Sequence, residues 1–153
     1  MILIDIDQQV LIHHQHTFKI SSAKLGLGSE KNSFKTPLGL HAVCDIIGIH
    51  EPIYTQFVAR KPIGLYPPSQ WSNASSIDMI LSRIIRLKGL EPGINQGPGV
   101  DSYERLIYIH GTHQETLIGT PQSKGCIRML NQDIIKLCQQ IHIGDQINIK
   151  ERL

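Results

Sequence analysis

The apolar residues of this chain come in short runs, each cut off within a few positions by Gly, Pro, Asn, Asp or Gln. That spacing constrains the fold more than any other feature. Residues 2–6 alternate as Ile-Leu-Ile-Asp-Ile, and Val10, Leu11 and Ile12 follow after Asp7, Gln8 and Gln9, the pattern of a β-hairpin. Phe18 to Ser22, Leu40 to Ile49, Leu106 to Ile109 and Gln146 to Ile149 read as further strands, with Gly48 as a bulge. Lys124 to Met129 reads as a short strand or turn through Cys126, and residues 51–74 as mixed strand and loop around Pro52, Pro62, Pro67 and Pro68. Thr36-Pro37-Leu38-Gly39 and Gly144-Asp145 carry turn chemistry.

Two stretches have helical spacing instead. The first runs from an N-cap at Ser75 or Ser76 to about Leu87, with Ile77, Ile80, Leu81, Ile84, Ile85 and Leu87 on one face. Arg83 and Arg86 fall off that stripe and read as a solvated polar face, with binding of a ligand carboxylate as the alternative, and Gly89 stops the helix. Gly93, Gly97, Pro98 and Gly99 then make a long loop over 89–102, a candidate lid or rim. The second helix is capped by Asn131 or Asp133 and turns Ile134, Ile135, Leu137, Cys138 and Ile141 inward. Together these elements predict one domain over residues 1–153, mainly β with short α-helices, built as a sandwich or barrel.

Charge and cysteine content narrow the function. A net charge of +2 provides no strong field for nucleic acid or an anionic membrane, and no apolar run approaches the roughly 20 residues of a membrane span. The opening MILIDIDQQV lacks the basic and continuously apolar regions of a signal peptide. On that reading the chain stays in the cytoplasm; it belongs to the periplasm or cell envelope if a leader is removed or export follows a non-standard route. Three Cys without CxxC spacing do not make a disulfide framework or zinc ribbon. Cys138 falls on the apolar stripe of the second helix and Cys44 follows Ala42-Val43 in a strand, and both read as buried small hydrophobes. His13, His14 and His16 have no acidic or Cys partner nearby and read as solvated.

Cys126 is different, because it lies among turn residues with Ser123, Lys124 and Gly125 before it and Arg128 after it. Sixteen positions upstream is His110, at the end of an apolar strand and followed by Gly111 and Thr112. A thiol is mostly protonated at neutral pH and becomes a nucleophile when an imidazole takes its proton. His110 is the preferred base and His113 its competitor. The amides of Gly125 and Cys126 are placed to hold an oxyanion. A zinc site of His110, His113 and Cys126 is a further reading, without a fourth ligand.

HGT, a variable loop, S-x-G-C-I-R-M and a following N-x-D helix start resemble the catalytic signature of the L,D-transpeptidases (the YkuD-type domain). The likeness extends to the first hairpin, the TPxG turn at 36–39 and the last strand. It implies the family's β-rich sandwich-like fold, with Cys126 as nucleophile, His110 as base, the Gly111 carbonyl orienting the imidazole, and the Gly125 and Cys126 amides as oxyanion donors. It assigns substrate binding to Ser123, Lys124, Arg128 and Thr112. The implied partners are peptidoglycan stem peptides or muropeptides, with no metal or organic cofactor, and the oligomeric state is left open. The thiolate would attack the third residue of a tetrapeptide stem, expel the terminal D-Ala and leave a thioester. An amine would then resolve it to a 3→3 cross-link or an exchanged D-amino acid. Hydrolysis by an L,D-carboxypeptidase and a silent wall-binding module are the alternatives. The family usually carries His where this chain has Lys124, a departure that bears on substrate more than on the nucleophile.

Overall fold

The computed structural model describes residues 1–73 and 78–153. Ten strands form one sheet: β1 (Ile2–Asp5), β2 (Val10–His13), β3 (His16–Ser21), β4 (Gly39–Ile47), β5 (Thr55–Val58), β6 (Lys61–Leu65), β7 (Ile80–Gly89), β8 (Tyr108–Gly111), β9 (Ile127–Met129) and β10 (Gln146–Lys150). Among the described residues one α-helix, α1 (Asn131–Cys138), follows β9. The strand order β4-β10-β1-β2-β3-β9-β8-β7 returns to β4 through a β4–β7 pairing, which closes the sheet into a barrel. Closure removes the unpaired edges that an open sheet would present. The β5–β6 hairpin extends from β7 beyond the ring.

Most neighbours are antiparallel, as short strands joined by tight turns must be. The exceptions are β1–β10 and β8–β9, both parallel. Alternation along β8 and β9 sends Ile109, Ile127 and Met129 into the main core with Ile2, Ile4, Leu11, Ile20 and Ile147. Ile134 and Leu137 of α1 join the same core. Tyr108, on the opposite face of β8, packs with Phe57 and Ile84 in a second cluster that Cys126 also touches.

The predicted mainly β architecture, the opening hairpin and the last strand are present as expected. The helix expected over 75–87 is not: Ser75, Ser76 and Ile77 lie outside the described residues, and from Ile80 the chain is strand β7. Strand β7 is buried on both faces, so its apolar residues do not alternate. A register shift between Leu81 and Ile84, with Ser82 at φ 71°, inserts extra residues between two Ile-containing pairs. The bulge thus spaces apolar pairs four apart, which mimics a helix face. Arg83 and Arg86 are correspondingly not on a solvated face. Arg83 is buried and donates to the carbonyls of Glu51 and Ser82 at 2.9 and 2.7 Å, while Arg86 lies 3.8 Å over the Tyr103 ring.

Smaller corrections follow from packing. The irregularity in β4 falls between Val43 and Asp45, and Gly48 lies beyond the strand's end. Leu130 occupies the N-cap position of α1, so neither Asn131 nor Asp133 caps it. Ile141 is buried beyond the helix. His13 is buried, with Nδ1 3.3 Å from Gln140 Oε1, while His14 is exposed. Cys44 and Cys138 are only half-buried. The loop after β7 is pinned down by buried Asn95, whose Nδ2 donates to the Leu38 and Leu40 carbonyls at 3.0 and 3.1 Å.

Candidate active site

The parallel pairing of β8 and β9 brings the His and Cys segments together. Two parallel neighbours need a crossover of a dozen or more residues, and residues 112–126 form it. The register sets His110 opposite Arg128 and Ile109 opposite Ile127. Ile109 and Ile127 point inward, so His110, Arg128 and Cys126 share the other face. Cys126 lies about two residues along the strand from His110's level, roughly 6.7 Å of rise.

His110 is completely buried, and its Nδ1 is 2.6 Å from the Gly111 carbonyl oxygen. A carbonyl only accepts, so Nδ1 carries the ring proton and Nε2 keeps a bare lone pair. Nε2 is buried and has no hydrogen-bond partner among the described residues. Cys126 is half-buried. Its thiol donates to the Leu106 carbonyl at 3.4 Å and accepts from the Tyr108 amide at 3.4 Å. In this geometry the thiol proton is directed at the Leu106 carbonyl.

Burial pushes the His110 imidazole below its ordinary pKa, and Arg128 adds to that, against the opposing pull of Asp78 and the Gly111 carbonyl. Burial pushes the Cys126 thiol up to about 12, and Asp78 adds to it, against the Tyr108 amide, Arg128 and Arg105. At neutral pH the resting site thus holds a neutral thiol and a neutral imidazole.

The other predicted site residues divide into turn scaffold and cleft wall. Ser123 is buried; its hydroxyl donates to the Cys126 carbonyl at 2.5 Å and accepts from the Gly125 amide at 3.1 Å. That clamp holds the turn around Cys126, and it means Ser123 scaffolds the turn instead of touching substrate, while the Gly125 amide is already engaged. Gly125 itself has φ 128°, with the Lys35 carbonyl and Ile107 side chain where a Cβ would press. Thr112, expected to bind substrate, is fully buried; its hydroxyl accepts from the Gln114 amide at 3.1 Å. Gly111 leaves no room for a Cβ beside Asn131 and the Leu81 carbonyl. Arg128 is buried, donating to Gln114 Oε1 at 2.7 Å and pairing with Asp78 Oδ2 at 3.2 Å. Lys124 is exposed. It lines a cleft of about 260 Å³ together with Phe34, Asp101, Arg105, Leu106 and Ile107. The cleft reaches Leu106, whose carbonyl holds the thiol.

Sequence reasoning missed Asp78, Ser82, Glu115 and the true role of Asn131. Asn131 Nδ2 donates to the Thr112 carbonyl at 2.8 Å and to Glu115 Oε2 at 3.1 Å, while its Oδ1 accepts from Ser82 Oγ at 2.7 Å. The Asn131 amide also donates to Glu115 Oε2 at 2.8 Å, so Glu115 caps α1. Nothing in the local sequence around Asp78 marks it; Asn131 had a signal, its place in the N-x-D motif, which a helix cap also explains. His113 is nearly buried, with its ring edge-on to Tyr66 at 6.2 Å. Among the described residues, no group of three or more His, Cys, Asp or Glu is placed to hold a metal ion.

Residues 1–149 match the family described as the L,D-transpeptidase catalytic domain. Two Bacillus subtilis (strain 168) proteins whose names assign them provisionally to the L,D-transpeptidases are similar over short stretches. YqjB is 40% identical over 47 residues, 31% of this chain and 27% of that protein. YkuD is 46% identical over 41 residues, 27% of this chain and 25% of that protein. The matched stretch thus spans about a quarter of the curated relatives. Among solved structures, an L,D-transpeptidase from Xylanimonas cellulosilytica DSM 15894 superposes with a TM-score of 0.55 at 16% identity, over 97% of this chain and 59% of that one. Enterococcus faecium L,D-transpeptidase superposes with a TM-score of 0.56 at 12% identity, over 97% of this chain and 48% of that one. At such identities the structural likeness carries the fold.

Proposed function

The chain belongs to the L,D-transpeptidase catalytic-domain family, and on that premise we propose that it is a cysteine-dependent L,D-transpeptidase acting on peptidoglycan tetrapeptide stems. The observation that carries the reading is the His110 ring: Nδ1 is tied to the Gly111 carbonyl at 2.6 Å, which leaves Nε2 bare on the sheet face that also bears Cys126. The Cys126 thiol turns from the Leu106 carbonyl and passes its proton to Nε2. The thiolate attacks the carbonyl carbon of the third stem residue. The resulting oxyanion falls to the Cys126 amide, since the Gly125 amide is held by Ser123 in the resting turn. Collapse breaks the peptide bond, the departing D-Ala amine takes the proton from His110, and a thioester remains. An incoming amine gives up a proton to His110 and attacks the thioester carbonyl; the C–S bond breaks, the expelled Cys126 thiolate takes the proton back from His110, and the product is either a 3→3 cross-link or a stem with an exchanged terminal D-amino acid. The cleft beside Leu106 and Lys124 is the proposed seat of part of the stem, with the Lys124 ammonium available to its carboxylates.

The test is mass spectrometry of disaccharide-tetrapeptide incubated with the protein, with and without a D-amino acid acceptor, beside Cys126→Ala. The expected result is loss of D-Ala with a cross-linked dimer or exchanged stem in the wild type alone. Tripeptide as the sole product would replace the proposal with an L,D-carboxypeptidase. Absence of any product, or D-Ala release by Cys126→Ala, would overturn it.

A further inference from the structure

Asp78 comes from the segment just before β7, and its carboxylate reaches the face that carries the His–Cys pair. Its Oδ2 is 3.2 Å from Arg128 Nη2 and 3.9 Å from His110 Nε2. Because Nδ1 holds the ring proton against Gly111, Nε2 presents a lone pair toward a carboxylate. Two acceptors therefore face each other with no proton between them. Asp78 Oδ1, His110 Nε2 and Arg128 Nε are all buried without a hydrogen-bond partner among the described residues. Native interiors leave only a few such atoms unpaired. A proton on Nε2 would turn the imidazole into a donor toward the carboxylate and relieve the two facing acceptors, while the Arg128 Nε–H, itself a donor, is not satisfied by it.

We infer that Asp78 is a positioning residue that serves as counter-ion to the His110 imidazolium once Nε2 has taken the Cys126 proton. The inference rests on the reading of Cys126 as nucleophile and His110 as base. The S–H bond breaks, the Nε2–H bond forms, and no other reactant is needed. The charges then alternate along one face: Arg128 positive, Asp78 negative, His110 positive, Cys126 negative. Burial opposes charge on both members of the His–Cys pair, and a carboxylate beside the imidazolium offsets that on the base's side. Asp78 also repels the thiolate, and Arg128 at 3.2 Å tempers that repulsion.

The surroundings of His110 leave this role to Asp78. Asp78 and Arg128 act on the ring itself. Arg105 acts from the thiol's side. From the α1 side, Glu115 is bonded to the Asn131 amide and Nδ2. Strand β7 contributes Arg83 and Arg86, whose guanidiniums go to the Glu51 and Ser82 carbonyls and to the Tyr103 ring respectively. Tyr108, the neighbour on β8, receives the Arg60 guanidinium at its hydroxyl, and His113 lies against Tyr66.

The test follows the His110 ring by NMR titration in Cys126→Ser protein, with and without Asp78→Asn or Asp78→Glu. Asp78→Asn should move protonation of His110 to lower pH, and Asp78→Glu should restore most of the original position. In protein that keeps Cys126, Asp78→Asn should slow iodoacetamide labelling mapped to Cys126 at pH 7 by about tenfold. An unmoved His110 titration in Asp78→Asn, or an equal displacement in Asp78→Glu, overturns the inference. The titration requires no substrate. A displaced titration in a protein that releases no D-Ala would therefore uphold the role of Asp78 while the proposed reaction falls.

Discussion

At the scale of single residues, the site depends on small groups that leave space for others. Gly111 does two things at once: its carbonyl fixes the His110 tautomer, and its missing side chain lets Asn131 and the Leu81 carbonyl close in. A Cβ at Gly111 would lie 2.6 Å from the Leu81 oxygen, well inside contact distance. Gly111→Ala should therefore cost about 2 kcal/mol of stability through overpacking and slow labelling of Cys126 by displacing the imidazole. Urea denaturation and labelling rates measured together check this. A stability loss below about 0.5 kcal/mol would show that Asn131 and β7 give way easily. The HGT and SKGC segments were legible in sequence because small residues around a His and a Cys are unusual. Their division into scaffold and chemistry was not legible. Ser123 and Thr112 carry hydroxyls that suit substrate contact equally well on paper, and only their burial shows that they bond the backbone.

Among the elements, the parallel β8–β9 pair positions the site, and Asn131 locks it to its neighbours. Through one side chain Asn131 joins Ser82 at the β7 bulge, the Thr112 carbonyl in the crossover and Glu115 before α1. Ser82 in turn accepts from the Tyr54 amide at 2.9 Å, which ties in the approach to β5. Asn131→Ala leaves the buried Ser82 hydroxyl and Thr112 carbonyl without this partner, and each such loss costs about 1–3 kcal/mol. The expected result is a drop of about 3 kcal/mol in unfolding free energy with the barrel retained, measured by the urea midpoint with circular dichroism. A drop below about 1 kcal/mol would mean that water or a rotated neighbour satisfies both groups. Strand β7 also marks where sequence reading failed at this scale. A bulged strand with two buried faces has no period of two, and its Ile pairs four apart satisfy a helical pattern. What tips it to strand is the pairing with β4, β5 and β8, which no local window contains.

Over the whole molecule, closure of the barrel buries titratable groups that the chain cannot keep charged. His41 is fully buried, with Nε2 2.8 Å from Ser102 Oγ and Nδ1 3.0 Å from the Gly39 carbonyl. Burial pushes its pKa below the ordinary 6.5, outweighing the Gly39 carbonyl and Glu91, which raise it. His110 is displaced in the same direction. For a group depressed on folding, the unfolded chain binds the proton first. The stability it contributes is present above about pH 6.5 and is lost as pH falls toward the folded-state value. The thermal midpoint should therefore decline between pH 7 and pH 5, and less steeply in His41→Gln than in the wild type. Calorimetry across that range checks the sign; a midpoint that rises on acidification would contradict it.

The one-dimensional pattern of this chain determined a mainly β fold with its opening hairpin, its last strand and a helix after β9, because turn residues and short apolar runs act within a few positions of one another. It also determined which His and which Cys stand out, because their small neighbours are adjacent in the chain. Only the tertiary structure decided that β7 is a strand, that Thr112 and Ser123 serve the backbone, that Asn131 is a buried lock, and that Asp78 faces the imidazole. All of these depend on burial, and the roles of β7, Asn131 and Asp78 also depend on partners tens of residues away, such as Ser82 with Asn131 and Asp78 with Arg128. Those contacts exist only once the barrel has closed and brought the strands side by side.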